Sequence, residues 1–170
     1  MQLNSSVINN LKLTNKTKKS WQELLNILTS QEFINVLKTK LDVIHDVTPS
    51  VVLYRDFGGF RLEPHTDIIE KKITFGLYLP RDISQRSLGF NIISKNDNAQ
   101  FVTVKTVEYT PNKALFFKVS ENSWHNAENT NEGFERNSLF VHFYGTEYVK
   151  NNKIVFTDKN VDRQVELIVS

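Results

Sequence analysis

At the step Thr48-Pro49-Ser50 the hydrophobic period of this chain changes from helical to alternating, and no other feature limits the fold as much. Before the step, Ser20 and Glu23 have the spacing of a capping box, and Trp21, Leu24, Leu25 and Leu28 fall on one helical face. Thr29 and Glu32 repeat the signal ahead of Phe33, Ile34, Leu37 and Leu41. Two amphipathic helices of about ten to twelve residues are therefore expected within 1–48. Proline then disfavours the helical conformation of the residue before it.

Beyond the step, the expected strands are Val51–Tyr54, Lys72–Leu79, Leu88–Ile93, Phe101–Tyr109, Ala114–Val119, Arg136–Tyr148 and Lys153–Thr157. Turn clusters separate them: Asp56-Phe57-Gly58-Gly59, Asn96-Asp97-Asn98 and Asn129-Thr130-Asn131-Glu132-Gly133. Many short strands with turns at about ten-residue intervals make a sandwich or barrel. The fold class expected is mostly β, with the leading helices packed outside one sheet.

The length, 170 residues, favours a single domain, 1–170, that buries roughly 70 % of its unfolded surface. With 21 basic and 19 acidic residues the net charge is +2, too even to argue for a nucleic-acid or membrane partner. No apolar run is long enough for a membrane span, and Met1-Gln2-Leu3-Asn4 lacks the features of a signal peptide, so a cytoplasmic protein is expected. There is no cysteine, which excludes disulfides, thiolate ligands and cysteine nucleophiles. A metal would need carboxylates and some of four histidines, His45, His65, His125 and His142.

Pro64-His65-Thr66-Asp67 is the informative stretch, because residues i and i+2 of a strand point to one side and bring an imidazole and a carboxylate together. Sixty residues later comes Trp124-His125, and eleven beyond that Arg136-Asn137-Ser138. Two histidines and one carboxylate on one face of a metal leave open positions, as in non-haem iron(II) oxygenases. From Leu53 to Tyr144 the chain resembles the catalytic core of the 2-oxoglutarate/iron(II) oxygenases, particularly their prolyl-hydroxylase-like branch. The resemblance rests on His65-Thr66-Asp67, Thr74-Phe75-Gly76-Leu77-Tyr78-Leu79, Trp124-His125 and Arg136-Asn137-Ser138, in that order.

That resemblance implies a double-stranded β-helix, a cupin-like jelly roll, over about 51–148. It implies iron(II) held by His65, Asp67 and His125, and 2-oxoglutarate anchored through its C5 carboxylate by Arg136, with Ser138, Tyr78 and Tyr54 beside it. Tyr54 stands one residue further from His65 than the family pattern has it. The implied reaction is hydroxylation of a small-molecule or peptidyl substrate, prolyl among them, by dioxygen, with release of succinate and carbon dioxide. Asp67 argues against the halogenases of this fold, which lack the carboxylate. The absence of a second arginine after Arg136 argues against nucleic-acid demethylases.

Plainer readings stand beside these. His45 has no partner pattern. His142 shares strand parity with Arg136 and Ser138 and is read as structural, or else as facing substrate. Arg136 is close in sequence to Glu132 and Glu135 and has them as alternative partners. Trp124 reads as packing, Arg55, Arg61 and Glu63 as solvated charges or else as substrate contacts beside the metal motif, and Gly76 as space for cosubstrate. Two other classes compete: a non-enzymatic metal- or ligand-binding jelly-roll module, and a zinc hydrolase, which leaves Arg136 unexplained.

Overall fold

Two helices lead the chain in the computed structural model, which describes residues 15–81, 83–127, 133–151 and 153–155. The first, α1, spans Asn15–Leu28. It starts earlier than the capping-box spacing suggests, so Ser20 lies inside it, its hydroxyl donating back to the Lys16 carbonyl at 3.3 Å. The second, α2, spans Gln31–Leu41, and its cap is Ser30 rather than Thr29: the Ser30 hydroxyl accepts from the Phe33 N–H at 3.2 Å. Asp42, in the left-handed conformation at φ 51°, ends the helix.

Eight strands follow in two facing sheets: β1 (Val47–Phe57), β2 (Leu62–His65), β3 (Lys71–Tyr78), β4 (Phe90–Lys95), β5 (Phe101–Val107), β6 (Ala114–Lys118), β7 (His125–Ala127) and β8 (Glu135–Gly145). Every pairing among them is antiparallel, in the orders β1-β8-β3-β6 and β2-β7-β4-β5. Apart from the β4–β5 hairpin, which stays within one sheet, consecutive strands alternate between the sheets, and this is a jelly roll. A small pair, β9 (Val149–Lys150) with β10 (Lys153–Ile154), follows. The strand expected to run to Tyr148 ends at Gly145 in a helical turn, Thr146–Tyr148. The last expected strand extends past Val155, outside the described residues, as do the N-terminal residues 1–14 and most of the turn at 129–133.

Three differences from the sequence expectation have physical causes. β1 begins at Val47 and contains Pro49, which a strand tolerates here because β1 is at the edge of its sheet. β2 and β7 have 4 and 3 residues, too short to register as an alternating run. A register shift between Lys71 and Ile73 turns Lys71 to the same face as Thr74.

The two faces of the larger sheet differ in kind. Val51, Ile73, Phe75, Leu139, Val141 and Phe143 form one buried cluster with Leu25, Leu28, Ile34 and Leu37 of the helices. Complete burial of one such side chain contributes about 1.5–3 kcal/mol, which explains why helices cover this face. The opposite face looks toward the smaller sheet. Directly opposed residues share a face, and the inward rows read Ser50, His142, Thr74, Phe117; then Val52, Phe140, Gly76, Leu115; then Tyr54, Ser138, Tyr78; then Asp56, Arg136. A β-carbon on Gly76 would stand 2.9 Å from the Phe140 ring, so the glycine gives room to Phe140. Among the described residues, no helix is long and apolar enough to cross a membrane.

Candidate functional site

A cavity of about 210 Å³ opens between the sheets, lined by inward rows of β1, β3 and β8 and, from across the barrel, by Leu62, His65, Phe90 and His125. His65 is the last residue of β2 and lies opposite His125, the first residue of β7. The two rings sit 4.2 Å apart, centroid to centroid. Asp67 stands two residues past His65, just beyond the end of β2. Ligand atoms of His65, Asp67 and His125 lie within 4.8 Å of one another.

Tautomers at this cluster follow from hydrogen bonding. His65 Nδ1 is 2.8 Å from the Glu63 carbonyl oxygen, and His125 Nδ1 is 2.9 Å from that of Ser123. A carbonyl only accepts, so each Nδ1 carries a proton, which leaves Nε2 as the ligand atom of each neutral ring. Burial holds the His125 pKa below the usual imidazole value, outweighing its bond to the Ser123 carbonyl and the nearby Asp67 charge, so the ring is neutral at pH 7. Phe90 stacks on it at 5.0 Å and Phe117 leans against it at 5.0 Å, fixing its orientation.

Burial alone would raise the Asp67 pKa, but Lys71, His142, the Thr74 hydroxyl and His125 together bring it well below the usual carboxylate range. Lys71 Nζ donates to Oδ1 at 2.9 Å and the Thr74 hydroxyl to Oδ2 at 2.7 Å. A carboxylate has about four lone-pair sites, so two remain for an ion. Neutral imidazoles and an ionised carboxylate are the donor set of a divalent transition metal, and the second partners of each donor orient it. These three residues could hold a metal ion.

The far end of the cavity is built on Arg136. Its guanidinium is buried, and Phe60 lies over it with its ring centroid 5.5 Å from Cζ. Nε donates to Oδ2 of Asp56 at 2.9 Å, Nη2 stands 2.8 Å from the same oxygen, and Nη1 donates to the Leu88 carbonyl at 3.1 Å. The glutamate named as a partner, Glu135, instead meets Arg55 and Arg81; Glu132 lies outside the described residues.

Of the other expected site residues, Ser138, Tyr54 and His142 line this cavity. Tyr54 is packed edge-on against Phe140. Tyr78 shares the Ser138 row but stands behind the cavity wall, packed on Tyr109, and its hydroxyl accepts from the Phe90 N–H at 2.8 Å. Burial pushes its phenol up to about 12. Trp124 packs on Phe101, with Lys95 over its ring, and Arg61 pairs with Glu63 on the surface. Sequence reasoning missed Asp56, Lys71 and Thr74. Strand parity with Tyr54 and Tyr78 would have pointed to Asp56 and Thr74; the bulge hid Lys71.

No family model matches this sequence, and no curated protein does. Solved structures are similar to it. A Pseudomonas putida prolyl-4-hydroxylase is 16 % identical, with a TM-score of 0.49 over 67 % of this chain and 60 % of that one. A Phytophthora capsici prolyl 4-hydroxylase is 21 % identical, with a TM-score of 0.49 over 74 % of this chain and 43 % of that one. A collagen prolyl hydroxylase of Paramecium Bursaria Chlorella virus-1, solved as a 2OG complex, is 15 % identical, with a TM-score of 0.44 over 68 % of each chain. The chain thus spans about half the length of the first two.

Proposed function

We propose that this chain is an iron(II)- and 2-oxoglutarate-dependent dioxygenase of the prolyl-hydroxylase-like kind, hydroxylating a small-molecule or peptidyl substrate. The observation that carries the reading is the convergence of His65, Asp67 and His125 at one end of a cavity whose other end holds a buried guanidinium, Arg136. Metal, 2-oxo acid and remote carboxylate need that order of groups along one pocket. Bound iron(II) supplies the dioxygen chemistry that couples decarboxylation of 2-oxoglutarate, to succinate and carbon dioxide, with hydroxylation of the substrate.

The chain's own residues bind and orient. His65 and His125 present Nε2, and Asp67 an oxygen set by the Thr74 hydroxyl. Arg136 is the cation for the remote carboxylate, with Ser138 and Tyr54 on the adjoining wall. Phe60, Leu62, Phe90 and Phe140 line the cavity with apolar surface, which limits the water around the reacting groups.

The Asp56–Arg136 pair favours a second reading, a non-enzymatic binding module, since there the arginine serves the fold alone. Succinate formed from 2-oxoglutarate by the purified protein, with iron(II) and with zinc in parallel, separates the readings. Succinate with iron and none with zinc is expected. No succinate under either metal, with or without a panel of prolyl peptides and free amino acids, would sink the enzyme reading.

A further inference from the structure

Both cations in the cavity already have a carboxylate of the chain against them. Lys71 holds Asp67 at 2.9 Å, and Arg136 holds Asp56 through an Nε hydrogen bond, with Nη2 2.8 Å from the same oxygen. Asp56 and Arg136 stand directly opposite in the β1–β8 ladder, so strand register brings the pair together, not a chance meeting of long side chains. The guanidinium side chain is 4 % exposed and the aspartate 12 %, so water screens the pair little. A dicarboxylic acid entering this end would bring a second carboxylate to one guanidinium. Like charges brought together in such surroundings cost several kcal/mol. Arg136 has five N–H groups, of which one donates to Asp56 and one to the Leu88 carbonyl, while Nη2 also lies against the Asp56 carboxylate. It keeps hydrogen-bonding capacity toward a ligand, but its charge is already neutralised.

Resting on the oxygenase reading above, we propose that Asp56 is the specificity-determining residue of the cosubstrate pocket. It competes internally for Arg136, lowers the affinity for 2-oxoglutarate, and narrows the preference for a 2-oxo diacid over a 2-oxo acid with an uncharged tail. 2-Oxoglutarate engages Arg136 fully only by displacing Asp56. The position suits such an exchange, since Asp56 is the next-to-last residue of β1 and precedes the turn at Gly58-Gly59.

The test is equilibrium binding to the whole chain, loaded anaerobically with manganese(II) so that no turnover intervenes. The probes are 2-oxoglutarate and 2-oxopentanoate, which has a methyl group in place of the remote carboxylate. Wild type should bind the two within about tenfold of each other. Asp56→Asn should bind 2-oxoglutarate about tenfold or more tightly than wild type does, with 2-oxopentanoate unchanged within about threefold. Asp56→Ser repeats the measurement with a smaller side chain, in case the asparagine variant folds poorly. Weaker or unchanged 2-oxoglutarate binding in the folded variants would overturn the proposal, because Asp56 would then serve to position Arg136. Failure of either acid to bind metal-loaded wild type and variants would overturn the oxygenase reading, and this proposal with it.

Discussion

The two ends of the cavity are built from the same kinds of group and differ in what those groups have left to give. At the metal end, Asp67 accepts from Lys71 and Thr74 and still has lone pairs, and each histidine spends only its Nδ1 proton. At the far end, Arg136 has met a full opposite charge in Asp56. Both ends hold an ion pair, but Asp67 keeps lone pairs beside Lys71 while Arg136 is the very cation a ligand carboxylate would need. A site's residue types thus show what it recognises while its internal partners set how strongly. Removing a group from each end should therefore have opposite consequences, one for the fold and one for the ligand.

Arg136→Ala carries the largest expected effect. It leaves Asp56 buried and unpaired, and breaking a buried pair from one side costs about 3–5 kcal/mol. Denaturant unfolding without ligand should show that loss, and Asp56→Ala combined with Arg136→Ala should recover much of it. Arg136→Lys should weaken 2-oxoglutarate more than it weakens metal, because lysine keeps the charge and loses the planar fork. A single variant as stable as wild type would erase the contrast between the ends.

His125→Ala is the counterpart at the metal end. No buried charge is orphaned, so a destabilisation of only about 1–2 kcal/mol is expected, within the ordinary range for a buried side chain. Metal affinity should instead fall by about a hundredfold or more, about 2.7 kcal/mol, and the rise in melting temperature on adding metal should vanish. Calorimetry with manganese(II) or cobalt(II) measures the first and a thermal melt the second. Metal binding that survived intact would mean the three donors are not one site.

How much of this was legible in the sequence follows the same division. His65, Asp67, His125 and Arg136 could be named because their motifs stand in the order of the family the chain resembles. Strand alternation puts His65 and Asp67 on one side, and in the structure their ligand atoms stand together with that of His125, with Asp67 just past the end of β2. Asp56 was within reach, two residues after Tyr54 on an inward row, but its pairing depends on the β1–β8 register, which a single strand does not reveal. Lys71 was out of reach, because one bulge inverts its parity. Ser20 failed as a cap because α1 starts at Asn15 and leaves that serine in the helix interior.

The smallest effect is the sharpest probe of the metal end. Thr74 is buried and donates its hydroxyl to Asp67 Oδ2 at 2.7 Å, while Lys71 holds Oδ1. The two contacts look alike and should act with opposite sign once a metal is present. The neutral hydroxyl orients the ligand carboxylate without opposing the ion, so Thr74→Val, close to isosteric, should lower metal affinity by about tenfold. The Lys71 ammonium repels a divalent ion at the carboxylate it shares, so Lys71→Met should raise metal affinity at low ionic strength. Titrating both variants with manganese(II) beside wild type reads the two signs directly. If both substitutions weaken binding, Lys71 orients the carboxylate as Thr74 does. The metal end would then depend on its internal ion pair as the far end does.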